Sequence, residues 1–536
     1  MSPSLGEKKG AAGMPAAGFH RPMFKRLRLI LRHPFLFATV SAALLRLAYP
    51  TFDVWVCAWF GLVPLLAAVA GQKPRPAFLT GFVAGFVFFG LTLYWVVHVT
   101  LAGAVLLSLY CGLYLGLFGL AYSFAAERLG WLGRCVWTAA FWVCLEYLRS
   151  HAMTGFPWAL LAYTQSGNLW AIQIADTIGA YGVSFLLVFV NAALLEVIEA
   201  LTAAGLGRRP TVLGRGAVLL AVIGTWLGYG ADRLYEDPRL SAPLKVSIIQ
   251  GNIAQEIKWV PRFSQNIFNK YVLLTQIVGL RDDPDVIIWP ETSFPDYLEV
   301  GVNDEPLGCL AREIGRPLLV GAIRLQDIDY FNSALLYLPS GRLAGLYDKL
   351  HLVPFGEYLP GRRQLPFLAN VVPIEDFTRG GRHTVFSLKG ERCPLIRASV
   401  LICFEDIFPD LARAFVGRGA DFLINMTNDA WFKDTASPYQ HYQASVFRAV
   451  ENRVYVVRAA NTGISCIIDD AGRRVARAED AAGKPTFVTE TLAGAVYKTG
   501  RGAAYTYFGE RVMGCILLVN LLGLMRGIRR KKRERA

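Results

Sequence analysis

Apolar positions fall into two regimes along this chain. From residue 34 to 231 the sequence is almost continuously apolar. A membrane-spanning helix needs about 20 such residues. The runs predict spans over 34–50, 51–70, 77–97, 101–126, 132–148, 179–203 and 212–231. Pro50 separates the first two, which predicts a tight hairpin. From 243 to 497 the pattern changes to short Val/Ile/Leu runs bounded by polar residues. These predict strands over 245–250, 286–289, 317–323, 334–338, 342–347, 399–403, 421–426, 454–459 and 464–469, with a helix over 438–453. Strands that are apolar throughout are buried on both faces, which implies layered α/β architecture. A last apolar run, 505–525, predicts an eighth span. It carries Glu510 and Arg511, tolerable only near an interface. The predicted fold is therefore a multi-pass α-helical membrane domain plus an α/β domain inserted before the last span.

Composition agrees with that division. Of 536 residues, 54% are hydrophobic and only 18% charged, below the roughly 25% of soluble domains. Mean hydropathy is +0.37. The formal charge of +14 invites a nucleic-acid reading, but its placement argues against one. The densest basic runs, 25–28 and 529–533, abut apolar segments and read as topology signals and anionic-lipid contacts. No basic stripe interleaved with aromatics occurs elsewhere. Basic residues also mark alternate loops, at Lys73 and Arg75, in 127–134, and at Arg208, Arg209 and Arg215. The positive-inside rule then places both termini, 1–33 and 526–536, in the cytoplasm and the domain 243–497 on the opposite, periplasmic side. Arg46 interrupts the first apolar run and no small-residue cleavage site follows, so a retained helix is expected rather than a signal peptide.

Polar groups inside the spans, namely His98, Glu146, Asp176 and Asn191, are expected to cap or pair locally. The loop Gly155-Phe156-Pro157-Trp158, with Tyr163 and Gln165, reads equally as an interfacial aromatic belt or as a lip that admits lipid. The nine cysteines include no CxxC and no zinc spacing. The residues leave one disulfide among Cys309, Cys393 and Cys466 open. No metal or cofactor is expected.

Three strand ends carry the candidate chemistry. Val400-Leu401-Ile402 ends in Cys403, followed by Phe404, Glu405 and Asp406. Ile287-Ile288-Trp289-Pro290 ends in Glu291. Tyr347-Asp348 leads to Lys349. A thiolate can attack an acyl carbon, a carboxylate can take the thiol proton and return it to a leaving group, and a cation can stabilise the oxyanion. Singly, each residue reads as a buried thiol, a cap carboxylate or a surface charge. Together they form a set.

The surrounding words resemble the apolipoprotein N-acyltransferase family of the nitrilase superfamily. They are Trp289-Pro290-Glu291-Thr292-Ser293, the run from Asp348 to Tyr358, and Ile402-Cys403-Phe404-Glu405. Gln250-Gly251-Asn252-Ile253, Asn428-Asp429-Ala430-Trp431-Phe432, Asn461-Thr462-Gly463-Ile464-Ser465 and the Gly155–Trp158 loop extend the likeness over most of the chain. The resemblance implies a nitrilase-like αββα sandwich in the periplasm of an inner-membrane protein. It implies ping-pong acyl transfer from a phospholipid, preferably phosphatidylethanolamine, to the α-amine of a diacylglyceryl apolipoprotein. Carried onto this sequence, Cys403 is the nucleophile, Glu291 the base and Lys349 the oxyanion stabiliser. Glu357 matches a second essential carboxylate, and Glu405 and Trp259 match positions near the active site. Phe404 stands where the family usually has Tyr, and Lys433 where Gly is common. A monomer is expected. The alternative is a membrane-tethered amidase or nitrilase acting on a small substrate.

Overall fold

The computed structural model describes residues 33–125, 129–202, 209–235, 239–360 and 376–533. The basic N-terminal run 25–28, Arg128 and Arg208, used above to count loop charge, lie outside these residues.

The apolar half comprises helices α1 (Pro34–Leu47), α2 (Val63–Val69), α3 (Pro74–Thr92), α4 (Leu101–Ala125), α5 (Trp131–His151), α6 (Leu169–Ile172), α7 (Ala175–Thr202) and α8 (Arg209–Tyr235). Among the described residues four helices, α3, α4, α7 and α8, are long and apolar enough to cross a membrane. The other predicted spans fall on shorter or more polar elements. The 51–70 run is broken into a 3-10 turn, Trp55–Trp59, and α2. Helix α5 carries Arg134, Glu146 and Arg149, all buried. The 505–525 run is broken at Gly509, whose φ of 55° ends one helical segment before the next begins.

The strands form two stacked sheets. The first has the order β13-β1-β2-β4-β5-β6, with β3 beside β4. Its members are β1 (Leu244–Gln250), β2 (Val286–Ile288), β3 (Tyr297–Leu298), β4 (Leu318–Gln326), β5 (Asp329–Tyr337), β6 (Leu343–Asp348) and β13 (Glu490–Val496). The second runs β12-β11-β10-β9-β8-β7. It is built from β7 (Phe386–Leu388), β8 (Ile396–Ile402), β9 (Phe422–Thr427), β10 (Tyr455–Ala460), β11 (Cys466–Ile468) and β12 (Arg474–Arg477). The two-residue period of a strand assigns each face. Val246, Ile248, Val286, Ile288 and Leu336 point into the space between the sheets. Ile249, Ile287, Trp289, Leu335 and Tyr337 point outward, under α10 (Pro261–Arg281), which follows the short α9 (Gln255–Lys258), and α11 (Glu305–Ile314). Helices α12 (Pro409–Gly417) and α13 (Ser437–Asn452) cover the second sheet. The result is an αββα sandwich. β3, β7, β12 and β13 were not predicted: they are short or weakly patterned, and pairing rather than propensity makes them strands. Cys309, Cys393 and Cys466 are all free thiols.

Helix α13 also packs on α7, which joins the two halves. Arg453, fully buried at the end of α13, donates to Asp176 Oδ2 at 2.7 and 3.1 Å, to Gln173 Oε1 at 2.6 Å and to the Gln173 and Asp470 carbonyls at 3.1 Å. Asp176 therefore pairs locally, accepting from Thr177 Oγ1 at 2.9 Å and Tyr229 Oη at 2.7 Å, and also across the chain's two halves. Asn191 pairs inside the apolar half, accepting from Leu62 N at 2.8 Å. Breaking a buried pair leaves an uncompensated group, so Arg453→Met is expected to cost about 3 kcal/mol. Arg233, 3.0 Å from Asp176, keeps the loss near the lower end of the usual range. Chemical unfolding in detergent measures it. A loss no larger than that of a surface pair, under about 1 kcal/mol, would mean the halves are held by other contacts.

Candidate active site

Strand β8 delivers Cys403 to a sharp turn. Its φ of 53° is the left-handed region that a residue with a Cβ seldom adopts. Two side-chain donors meet the Cys403 carbonyl there, Asn425 Nδ2 at 3.0 Å and His441 Nε2 at 3.2 Å. The next strand end, after β2, carries Glu291. Thr292, also left-handed at φ 47°, turns the chain so that Ser293 N donates to Gly321 O at 2.7 Å. Gly321 has to be glycine, since a Cβ would collide with the Pro290 carbonyl. The third strand end, after β6, carries Lys349.

Glu291, Lys349 and Glu357 meet in one buried cluster. Lys349 Nζ lies 2.9 Å from Glu357 Oε1 and 3.8 Å from Glu291 Oε1. Asn332 Nδ2 donates to both carboxylates, at 2.8 and 2.9 Å. Val353 N donates to Glu357 Oε2 at 2.8 Å. Burial disfavours the Lys349 charge, but Glu357 and then Glu291 outweigh it and hold the ammonium above its ordinary range. The Cys403 thiol is pushed well up, by burial first and by Glu291 second, while Lys349 pulls it down. The thiol therefore rests protonated, and would need a base to act as a nucleophile.

Glu405 is fully buried and ties two of these strand ends together. Its carboxylate accepts from Ile402 N at 2.7 Å, before the thiol, and from Leu350 N and His351 N at 2.6 and 2.9 Å, after the lysine. Tyr347 Oη adds a fourth donor at 2.8 Å. Trp259 neighbours Lys258, whose Nζ is 3.3 Å from Glu291 O. It is 38% exposed, stacks on Tyr297 at 6.4 Å and lies 5.9 Å from Lys258 Nζ. Phe404 packs with Phe408 at 5.3 Å and His351 at 6.2 Å, a role for the ring that needs no hydroxyl. Lys433 has φ 54° and ψ −166°, a conformation that suits glycine.

Family models match both halves of the chain. One described as the apolipoprotein N-acyltransferase N-terminal domain matches residues 41–193, and one described as carbon-nitrogen hydrolase matches 245–492. An apolipoprotein N-acyltransferase of Geobacter metallireducens is 39% identical over 476 residues, covering 84% of this chain and 88% of that one. One from Brucella suis is 36% identical over 474 residues, covering 81% and 86%. The chain belongs to the apolipoprotein N-acyltransferase family. Among solved structures, Nit3 of Saccharomyces cerevisiae aligns over 51% of this chain and 95% of its own, with a TM-score of 0.36 and 16% identity.

The membrane half of this family member meets the turn at Cys403 directly. Tyr163 Oη reaches the Ile407 carbonyl at 3.4 Å. Trp158 is buried. Its Nε1 donates to Gln440 Oε1 at 2.9 Å, as Trp95 Nε1 does at 3.0 Å, and its ring lies 5.5 Å from His441. Arg149 holds this loop by the Phe156 and Trp158 carbonyls, at 2.8 and 2.6 Å. Sequence reasoning missed Lys258, Asn332, Asn425 and His441. Lys258 is buried with its Nζ 2.6 Å from Thr292 Oγ1 and 3.3 Å from Glu291 O. Burial lowers its pKa to about 8, against the pull of Glu291 and Cys403.

Glu405→Gln tests the tie between strand ends. An amide has donors on one side and cannot accept from all four groups. At least one buried N–H then loses its partner, at about 1–3 kcal/mol. The thermal midpoint should fall and acyl-enzyme formation should slow. A wild-type midpoint would mean Glu405 is not what joins the two strand ends.

Proposed function

We propose that this chain transfers an acyl chain from a phospholipid, preferably phosphatidylethanolamine, to the α-amine of the N-terminal diacylglyceryl-cysteine of apolipoproteins. Glu291 takes the thiol proton as Cys403 sulfur attacks the ester carbonyl. Lys349 stabilises the oxyanion and Glu357 holds Lys349. The tetrahedral adduct collapses to a Cys403 thioester, and Glu291 returns the proton to the departing lysophospholipid. The acceptor amine then attacks the thioester, loses a proton and releases the thiol and the amide.

The observation that carries this reading is the seat of the nucleophile. The turn bearing Cys403 rests on the 155–163 loop of the apolar half, through Ile407 and the helix bearing Gln440. A hydrolase of small soluble substrates has no use for that seat. We place the protein in the bacterial inner membrane as a monomer with eight spans. The domain 243–497 faces the periplasm, the eighth span covers 505–525, and the termini, 1–33 and 526–536, are cytoplasmic. A reporter fused after Ala536 checks the topology, and a periplasmic signal would refute it.

Intact mass after incubation with phosphatidylethanolamine, without acceptor, tests the chemistry. One added acyl chain supports the proposal. Lysophospholipid and free fatty acid with no adduct would point to a hydrolase. No lipid turnover at all would favour the small-substrate amidase.

A further inference from the structure

His441 lies outside the Glu291–Lys349–Cys403 set, yet it touches the nucleophile's backbone. It sits on the first turns of α13, 2% exposed. Its Nδ1 is 2.9 Å from Asp429 Oδ1, and its Nε2 is 2.8 Å from Asp406 Oδ1 and 3.2 Å from the Cys403 carbonyl. The far oxygens of both carboxylates are engaged by the fully buried Arg458. Nη1 is 3.1 Å from Asp406 Oδ2, and Nη2 is 3.2 Å from Asp429 Oδ2. Ser445 Oγ also bonds Asp406 Oδ2. Asp406 and Asp429 are thereby kept ionised, burial being outweighed by His441 and Arg458.

Ionised carboxylates only accept hydrogen bonds. An imidazole between two of them, each within 3 Å of a different ring nitrogen, has to carry a proton on both. A neutral ring would set one lone pair against a carboxylate. Two cations and two anions then balance within the network, which is the condition for burying charge. The same network supplies both donors to the Cys403 carbonyl. Asn425, which gives the second, has its own Oδ1 fixed by Arg458 Nη1 at 2.8 Å. A left-handed residue that is not glycine persists only where its surroundings over-determine it, and these two donors do so. Gly463 belongs to the arrangement as well, because a Cβ there would collide with the Asp429 carboxylate.

We propose that His441, as an imidazolium clamped between Asp406 and Asp429, is a positioning residue that fixes the Cys403 carbonyl and so aims the thiol. The inference rests on Cys403 being the acyl-accepting nucleophile. The charged groups facing the ring are Asp406, Asp429 and Arg458. Burial opposes the ring's charge, but Asp406 and Asp429 raise its pKa to about 9. The clamp is present below that pH and is lost as pH rises through it.

The test is single-turnover acylation of the full chain by phosphatidylethanolamine, read by intact mass across pH. H441Q should acylate roughly 10²-fold more slowly, the scale of a misplaced reacting group, with half-saturation in lipid unchanged. It should also lack the alkaline loss of rate seen in the wild type. D429N keeps the shape of the site but removes one anion, so its alkaline loss should move to lower pH. Equal rates per folded molecule in H441Q, or an unmoved limb in D429N, would overturn the clamp. A readout independent of lipid is the ring-carbon resonance of His441, assigned as the one absent from H441Q. It should report an imidazolium near pH 8, and a neutral ring there would overturn the proposal even if acyl transfer occurs. A wild type that takes no acyl chain would instead sink the reading of Cys403.

Discussion

Cys403→Ala will take up no acyl chain from phosphatidylethanolamine, while the protein accumulates and unfolds much as the wild type does. The two halves of that result have separate causes. Removing one sulfur leaves a small void at the end of β8, worth about 1 kcal/mol. The turn itself does not depend on the thiol, because its carbonyl is held by Asn425 and His441 and the neighbouring Ile402 N–H by Glu405. The proposed chemistry, by contrast, is expected to find no substitute for the thiol among the described residues of the site. Lys258 is the other candidate, since burial lowers its pKa to about 8. Its amine is committed to Thr292 Oγ1 and Glu291 O. Cys403→Ser refines the test. A hydroxyl is a far poorer nucleophile than a thiolate, and Glu291 would have to abstract a much less acidic proton. Acylation should fall by about 10³-fold or more, the scale of losing a member of a concerted catalytic unit. Mass spectrometry after single turnover reads both variants. An adduct that survives in Cys403→Ala would remove Cys403 from the mechanism.

The strand ends were legible in the sequence and most of their supports were not, for a physical reason. A strand buried on both faces is a continuous apolar run, so the polar residue that stops it is conspicuous. Glu291, Lys349 and Cys403 were each found that way, and Glu405 and Glu357 came with the motif words around them. Their partners carry no such mark. Asn332 lies within β5, where one polar residue in an alternating strand looks like a solvent-facing position. His441 and Arg458 lie on α13 and β10. Their role exists only once the second sheet has brought them to Asp406 and Asp429, 35 and 29 residues away along the chain. Asp176 is the sharpest case. As a lone carboxylate near a span end it reads as a cap, and its partner Arg453 is 277 residues distant. The loop at 155–158 was ambiguous because aromatic residues suit an interface, a lip or a packed joint alike. Here Trp158 is buried against Gln440 and His441.

Lys349→Arg will fail almost as completely as Cys403→Ala, although the charge is kept. Lys349 is 1% exposed, and its ammonium is a compact charge between Glu357 and Glu291. A guanidinium is larger and planar, with five donors in a fixed fork. It cannot lie 2.9 Å from Glu357 and 3.8 Å from Glu291 without displacing Asn332, which bonds both carboxylates. A cation moved away from the developing oxyanion loses most of its effect, and removing one such group typically costs about 10²–10³-fold in turnover. Lys349→Met separates charge from shape. It fits the space but leaves two buried carboxylates facing each other through Asn332. Their repulsion favours protonating one of them, so the base should be blocked near neutral pH. Raising the pH should then restore part of the lost rate in Lys349→Met and none in Lys349→Arg, because only the first variant has a proton to remove from the base. Half-saturation by phosphatidylethanolamine should stay near the wild-type value in both, since a group in the proposed oxyanion role acts on the transition state and not on the bound lipid. Near-normal turnover in Lys349→Arg would take Lys349 out of the oxyanion role. A rise in half-saturation with unchanged turnover would make it a lipid-binding residue instead.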